Sequence, residues 1–139
     1  PIIYGDGEQK RSFSDIDDCV YCIDKLSTDP SLKSQLINIG PGPENEITIN
    51  QLYQIIANEI KYNAEPIYKP ERVNEVKDAI CSSELSEKIF NYKSNKNIKS
   101  IIKKMVNFIQ QRGTKKFNYV YDIEIKNELT PDTWKKKLI

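Results

Sequence analysis

The chain has 139 residues, of which 38% are hydrophobic and 29% are charged, as expected for one soluble globular domain. No apolar run approaches the ~20 residues of a membrane-spanning helix, and the absence of histidine excludes Ser-His and Cys-His nucleophilic catalysis by these residues. The net charge of +1 conceals an acidic part, residues 1–95, and a basic part, residues 96–139, which we interpret as a solvated helix face and a lysine-rich terminus rather than a nucleic-acid site.

The chain begins with a predicted strand and a tight turn. Residues 1–4 are apolar and favour a β-strand that ends at Gly5, and the Gly-Asp-Gly sequence at 5–7 predicts the turn. The first residue is Pro1, in the middle of this strand pattern, so we expect the chain to be a piece of a longer protein.

Arg11 follows this turn and is the leading candidate for a binding residue. A guanidinium group is always charged and presents a planar fork of donors that matches phosphate oxygens. An arginine held beside a tight turn is therefore a candidate clamp for a diphosphate. The alternative is a surface arginine paired with Asp15 or Asp18, and such exposed pairs contribute only ~0–1 kcal/mol.

Two amphipathic helices are predicted next. Asp15, Asp17 and Asp18 are N-cap candidates for the first helix, whose apolar stripe comprises Ile16, Cys19, Val20, Ile23 and Leu26. Residues 36–39 predict a short strand, ended by the Gly-Pro-Gly-Pro sequence at 40–43. Thr48 can cap the second helix, whose apolar face comprises Ile49, Leu52, Tyr53, Ile56 and Ile60.

The second half of the chain predicts an extended edge segment and two further helices. The segment is Pro66–Pro70, and Ser82 or Ser83 can cap a short helix that runs through Phe90 to a stop at Asn91. The longest helix runs from Asn97 to Arg112, ends at Gly113, and directs inward Ile98, Ile101, Ile102, Met105, Phe108 and Ile109.

The tail alternates apolar and polar residues at 117–122 and ends in a turn at 130–134. Helices thus alternate with short strands, which indicates the α/β class. The strands are too few for a complete doubly wound sheet, so we expect a small, mostly helical lobe that packs against a larger sheet or stands alone.

The three cysteines do not indicate a disulfide framework or a metal site. Cys19-x-x-Cys22 has the spacing of a redox or zinc half-site, but Cys81 is the only other cysteine and there is no histidine to complete four ligands. Cys19 also lies on the apolar stripe of the first helix, so we expect packing rather than chemistry. The odd cysteine count also argues against a disulfide framework, and we expect a cytoplasmic protein.

Four segments form a composite pattern: Arg11-x-Phe13 and Ile16-x-Asp18 after the turn, Asn38-Ile39-Gly40 before Ile47-Thr48-Ile49, Arg72-x-x-Glu75-Val76-Lys77, and Ser83 to Tyr92. In this order they resemble the C-terminal part of the extended short-chain dehydrogenases/reductases, the NAD-dependent nucleotide-sugar epimerases and dehydratases such as UDP-glucose 4-epimerase. The family's Leu-Gly-aromatic turn is replaced by Phe90-Asn91-Tyr92. The tail from Phe117 to Trp134 resembles an extension found in some members.

The resemblance implies that residues 1–139 form a C-terminal substrate-binding domain of a Rossmann-type enzyme, with a family core at 1–112 and an extension at 113–139. It also implies that Arg11 and Arg72 hold the diphosphate of a nucleoside-diphosphate sugar, and that Ile3 and Tyr4 line the nucleobase pocket. The cofactor would be NAD, bound by an N-terminal domain absent from this chain.

Two motifs have part of the residue spacing of the family's catalytic and NAD-binding motifs but differ from them in context. Tyr92-x-x-x-Lys96 has the spacing of the catalytic Tyr-Lys pair, but it follows a helix stop, whereas that pair works from one face of a helix. Gly5-x-Gly7 and Gly40-x-Gly42 lack the third glycine of the dinucleotide fingerprint. We therefore predict no catalytic, cofactor-binding or metal residue in this chain.

The parent enzyme would be a UDP-sugar 4-epimerase that oxidises a sugar carbon by hydride transfer to NAD and returns the hydride to the opposite face. A UDP-glucuronate decarboxylase or a nucleotide-sugar 4,6-dehydratase is an alternative, since Arg11-Ser12-Phe13 also resembles the decarboxylase sequence. A binding module without catalysis is a further alternative. The expected partner is a UDP-sugar, with no nucleic acid or membrane, and the parent is expected to be a homodimer.

Overall fold

The structure is a computed structural model that describes residues 1–32, 35–41, 45–94, 96–115 and 126–137. Its elements are the strands β1 (Ile2–Tyr4), β2 (Lys10–Ser12), β3 (Glu46–Thr48), β4 (Ile67–Lys69) and β5 (Asp78–Ala79), and the helices α1 (Ile16–Thr28), α2 (Ile49–Ile60), α3 (Glu84–Phe90), α4 (Ile98–Arg112) and α5 (Asp132–Lys135). This arrangement confirms the predicted α/β class.

The turn between β1 and β2 requires its two glycines. Gly5 and Gly7 both have positive φ, +78° and +76°, a region that other residues rarely adopt. A Cβ atom at Gly7 would also collide with the side chain of Asn50. Asn50 uses this space to donate a hydrogen bond of 2.9 Å to the carbonyl of Asp6, which ties the turn to the start of α2.

The short strands form two small sheets. In the first, β1 pairs with β4 in parallel, with Ile3 opposite Tyr68. In the second, β2 lies between β3, which is antiparallel to it, and β5, which is parallel to it. The predicted edge segment therefore contains β4, whereas the predicted strand at 36–39 is wrong, because residues 35–41 are described without a strand. A four-residue segment with three apolar residues carries too little periodicity to predict a strand by itself.

Helix α1 begins where the sequence predicts, but the opposite face is buried. The carboxylate of Asp15 accepts a hydrogen bond of 2.8 Å from the backbone N–H of Asp17, which makes Asp15 the N-cap. The predicted apolar stripe faces solvent, since Ile16 is 66% and Ile23 is 58% exposed. The residues of α1 that are buried are Asp18 and Cys22, which lie on the side that meets α3.

The starts of α2 and α4 and the ends of α3 and α4 follow their local signals, whereas Ser83 precedes α3 without a side-chain capping hydrogen bond, because its hydroxyl donates to Glu87 instead. Thr48 and Gln51 form a reciprocal capping box at the start of α2. Asn97 caps α4 through its side chain, and Gly113 ends that helix. Asn91 adopts the left-handed conformation after α3, with φ of 47°.

The core is small and draws its residues from β1 and from the helices α1 to α4, of which α2 and α4 pack against each other. Its hydrophobic members are Ile3, Cys22, Ala57, Phe90, Ile98, Ile101 and Ile102. The prediction for α4 is thus correct for its first half, whereas Met105, Phe108 and Ile109 are exposed because the second half of the helix extends past this core. No helix among the described residues combines the length and apolar character needed to cross a bilayer. The predicted alternation at 117–122 lies outside the described residues.

Candidate functional site

Arg11 lies in β2 and is fixed by the segment that precedes β5. Its Nη1 atom donates to the carbonyl oxygens of Lys10 at 2.7 Å and Lys77 at 3.1 Å. Its Nη2 atom forms an ion pair of 3.3 Å with Glu75. Arg11 therefore pairs with a carboxylate 64 positions away, not with Asp15 or Asp18, the alternative partners considered from the sequence.

Arg72 lies on a turn that also carries Glu75. The backbone N–H of Glu75 donates to the carbonyl of Arg72 at 3.3 Å, and Asn74 has a positive φ of 61° within this turn. The Cζ atom of Arg72 lies 4.3 Å from the centre of the Tyr4 ring, a cation–π contact. The same turn thus carries Arg72, which contacts Tyr4, and Glu75, which forms the ion pair with Arg11.

Both arginines retain hydrogen-bond donors for a ligand. A guanidinium group has five N–H donors, and Arg11 uses three of them within the part of the chain that the structure describes. The Cζ atom of Arg72 lies over the Tyr4 ring, and Arg72 donates to no acceptor among those residues. Both side chains are therefore positioned by contacts that leave some of their N–H donors without an acceptor in the described part of the chain.

Tyr4 occupies the centre of this arrangement. Its hydroxyl donates to Oγ1 of Thr133 at 3.1 Å and accepts the backbone N–H of Thr133 at 3.3 Å. The hydrogen bond with the Thr133 side chain lowers the pKa of the Tyr4 phenol. Tyr4 therefore connects β1 to α5, which lies 129 positions further along the chain.

Ile3 is placed differently from the other three predicted site residues. Its side chain is buried and lines an apolar groove of about 370 Å³ between β1 and α2. Successive side chains of a strand point to opposite faces, and Tyr4 accordingly contacts Arg72 on the other side. The structure brings together Tyr4, Arg72 and the Glu75 partner of Arg11, and it does not bring the Ile3 side chain to them.

A pocket of about 230 Å³ lies between the glycine turn and the Arg72–Glu75 turn. Its lining comprises Gly5, Asp6, Gln9, Glu71, Glu75 and Lys77. Three carboxylates against one lysine make this pocket unfavourable for a diphosphate. Binding of an anion by the arginines is thus expected at their free donors and not inside this pocket.

The Tyr92–Lys96 pair belongs to a structural network and not to an acid–base site. The Tyr92 hydroxyl donates to the buried carboxylate of Asp18, as does Ser94. Burial, followed by this bond to Asp18, strongly raises the pKa of Tyr92, which is the reverse of what a general base needs. The Lys96 ammonium lies 3.0 Å from Asp17, and both residues of the pair lie between α3 and α4, outside any helix.

Cys19 and Cys22 fit packing rather than chemistry. Cys22 is buried, and burial raises the pKa of both Cys19 and Cys22, which disfavours the reactive thiolate. All three cysteines are free, and no cluster of potential metal ligands occurs within residues 1–32, 35–41, 45–94, 96–115 and 126–137.

The described residues do not fit a dinucleotide cofactor. Gly5 and Gly7 lie in a turn between two short strands, whereas the fingerprint requires a strand followed directly by a helix N-terminus. Gly42 of the second predicted glycine pair lies outside the described residues. The glycine turn of this chain is therefore not a pyrophosphate-binding loop for NAD.

Sequence reasoning missed two residues of the site. Glu75 was visible only as part of the Arg72-x-x-Glu75 segment, without a role, and its partner became evident through the β2–β5 pairing. Thr133 carries only the signal of a turn, within the Thr-Pro-Asp-Thr-Trp sequence at 130–134. Neither contact can be inferred from local spacing.

Curated proteins are similar to this chain over most of its length, while no protein-family profile matches it. A candidate UDP-glucose 4-epimerase of Methanocaldococcus jannaschii is 33% identical over 116 residues, which cover 81% of the chain and 35% of that protein. The UDP-glucuronate 4-epimerase of Thermodesulfobacterium geofontis is 31% identical, covering 78% of the chain and 33% of that protein. The chain thus spans about a third of the length of these relatives.

Solved structures share the fold. The UDP-glucose 4-epimerase of Thermotoga maritima in complex with UDP-glucose superimposes with a TM-score of 0.70 at 24% identity, covering 80% of the chain and 35% of that protein. MoeE5 in complex with UDP-glucuronic acid and NAD superimposes with a TM-score of 0.73 at 18% identity, covering 81% and 37%. At these identities the likeness establishes the fold alone.

Proposed function

The chain belongs to the extended short-chain dehydrogenases/reductases of the NAD-dependent nucleotide-sugar epimerase and dehydratase type, matching their C-terminal part, and we propose that it binds the diphosphate of a UDP-sugar through Arg11 and Arg72. The observation that carries this proposal is the pair of arginines that the protein fixes without using all their donors. Each charge-assisted hydrogen bond to a phosphate would contribute roughly 1.5–3 kcal/mol.

Glu75 gives Arg11 its direction in this proposal. An exposed arginine loses side-chain entropy when it binds a ligand. Three hydrogen bonds to Lys10, Lys77 and Glu75 restrain Arg11 before any ligand arrives. The preorganised guanidinium then loses less freedom when it binds the diphosphate.

Tyr4 and Ile3 are proposed to form the nucleobase side of the site. The Tyr4 ring supports Arg72 on one side of β1, and the buried Ile3 side chain fixes the same strand from the other side. Ile3 would therefore act by holding the strand beneath the pocket, and Tyr4 by its ring.

We further propose that residues 1–112 are the family core, that 113–139 are an extension, and that an N-terminal NAD-binding domain covers β1, β4 and α1. Parallel strands occur almost only in sheets whose two faces are buried. Here β1 and β4 form a two-stranded parallel sheet, with Ile67 and Tyr68 of β4 exposed. These faces fit a sheet that continues into such a domain.

The reaction proposed for the parent protein is 4-epimerisation of a UDP-sugar. Both curated relatives named above and the Thermotoga maritima protein bear the name of a 4-epimerase. We assign no redox step to the residues of this chain, whose contribution is to bind and orient the substrate.

The test is to incubate the full-length protein and NAD with UDP-glucose, and separately with UDP-glucuronate, and to follow the sugar by NMR. Inversion at C4 is the expected result. Release of carbon dioxide from UDP-glucuronate would replace the proposal with decarboxylation, and loss of water would replace it with dehydration. Unchanged sugars in both reactions would refute an enzymatic role and favour a binding module.

A further inference from the structure

Thr133 is a buried polar residue near the end of the described chain. It is 5% exposed, although it lies on the four-residue helix α5. Its hydroxyl and its backbone N–H both meet the hydroxyl of Tyr4, at 3.1 and 3.3 Å. One residue of the C-terminal segment thus satisfies both the donor and the acceptor capacity of this phenol.

These contacts restrain the ring on which Arg72 lies. A tyrosine ring turns about two torsions, and a hydrogen-bonded tip holds both of them. The Cζ atom of Arg72 lies 4.3 Å from the centre of this ring, and the guanidinium has no hydrogen-bond acceptor in the described residues. A cation–π contact depends on the cation staying over the ring face, so the orientation of Tyr4 determines where Arg72 points.

From this relay we infer that Thr133 is a positioning residue for substrate binding: it fixes Tyr4, and Tyr4 holds Arg72 toward the substrate diphosphate. The inference rests on the proposed function, and it assigns to the C-terminal extension a part of the binding site. The three side chains come from β1, from the turn after β4 and from α5, so the site is completed only when the end of the chain docks on its beginning.

The test measures the dissociation constant of UDP-glucose for the full-length protein by calorimetry. Thr133→Val removes the hydroxyl while keeping the shape and the backbone N–H, and we expect it to weaken binding about fivefold, as for the loss of one hydrogen bond. Thr133→Ser restores the hydroxyl and should bind as the wild type does. Thr28→Val is the matched control, because the Thr28 hydroxyl binds only carbonyl oxygens within α1.

A second pair of variants separates positioning from a general structural effect. In an Arg72→Gln background, Thr133→Val should cause no further loss of affinity, because the residue on which Thr133 acts is gone. A further fivefold loss there would overturn the inference. Equal affinities of the Thr133→Val variant and the wild type would overturn it as well, while leaving the proposed function intact. A wild-type protein that does not bind UDP-glucose would instead refute the proposed function, and the inference with it.

Discussion

At the start of α1 the charged side chains are buried, whereas the apolar face of the same helix is exposed to solvent. This is the reverse of the usual pattern of burial. Asp15 and Asp18 are buried, at 3% and 5% exposure, whereas Ile16 and Val20 are more than half exposed. The carboxylates can be inside because each has partners: Asp18 accepts from Tyr92 and Ser94, and Asp15 accepts from Asp17 and Lys104. Buried polar groups are stable only with such partners.

This difference shows that hydrophobicity alone does not decide which face of α1 lies inside the chain. The loop after α3 supplies donors for the polar face, so that face is satisfied within these residues. The apolar face has no equivalent within the described residues and is available to the N-terminal domain proposed above. The two faces of α1 therefore predict different responses to mutation. Changes in the polar network should lower stability through lost hydrogen bonds, and changes on the apolar face should do so only if the proposed domain covers it.

The largest effect is expected at Arg11, the half-buried charge whose remaining donors have no acceptor among the described residues. Arg11→Ala should weaken UDP-glucose binding by about 2–4 kcal/mol, because it removes a positioned charge from the diphosphate. Calorimetry on the full-length protein gives the value. Arg112→Ala is the control, since Arg112 ends α4 and rests on Phe108. Equal affinities of the Arg11→Ala variant and the wild type would contradict the assignment.

The polar face of α1 should be almost as sensitive, in stability rather than in binding. Asp18→Ala leaves the hydroxyls of Tyr92 and Ser94 without their acceptor, and we expect a loss of about 3 kcal/mol in the free energy of unfolding. Guanidinium denaturation of the full-length protein measures it. Asp24→Ala, an exposed aspartate on the same helix, should cost less than about 0.5 kcal/mol, and similar losses in both variants would remove the case for a buried network.

The apolar face of α1 tests the other side of the comparison. If the proposed N-terminal domain covers Ile23, then Ile23→Ser should destabilise the full-length protein by about 2 kcal/mol through lost apolar burial. Asp24→Ser again provides a neighbouring control in the same denaturation experiment. A loss below about 0.5 kcal/mol would mean that this face stays in solvent in the full-length protein, as for ordinary surface positions.

The smallest effect is a pH dependence at Asp15. A hydrogen bond from the Asp17 backbone, and then one from Lys104, lower the pKa of Asp15 below its ordinary value of 3.8. A lowered pKa in the folded state stabilises the fold above pH 3.8, and this contribution is lost as the pH falls through the folded-state pKa. Between pH 6 and pH 3 the wild type should therefore lose more stability than Asp15→Asn, which retains a side chain able to cap the helix.

Asp24→Asn serves as the reference in that titration, because Asp24 is exposed and caps no helix. Parallel stability curves for Asp15→Asn and the wild type would show that Asp15 makes no net contribution. The neighbouring charges that face Asp15 are Lys96, Lys104 and Asp17. The ordinary pKa of lysine lies well above this pH range, so both lysines stay charged throughout the titration.

The sequence by itself determined the helix ends and the glycine turn. Thr48 and Gln51, Asn97, and Gly113 act on backbone groups within four positions of themselves, so their signals are local. Gly5 and Gly7 likewise favour a turn because the ability of glycine to adopt positive φ does not depend on the rest of the chain. The sequence pattern around the glycine turn and the family resemblance also identify Arg11 and Arg72 as candidates, and their binding role stays a prediction.

Only the tertiary structure decided which groups meet and which face is inside. Strands of two or three residues, such as β2 and β5, have no periodicity to detect and exist because a neighbour pairs with them. The Arg11–Glu75 and Tyr4–Thr133 contacts join residues 64 and 129 positions apart. Such contacts depend on the path of the whole chain, and the same dependence placed Asp18 inside and Ile23 outside on one helix whose apolar stripe predicted the opposite.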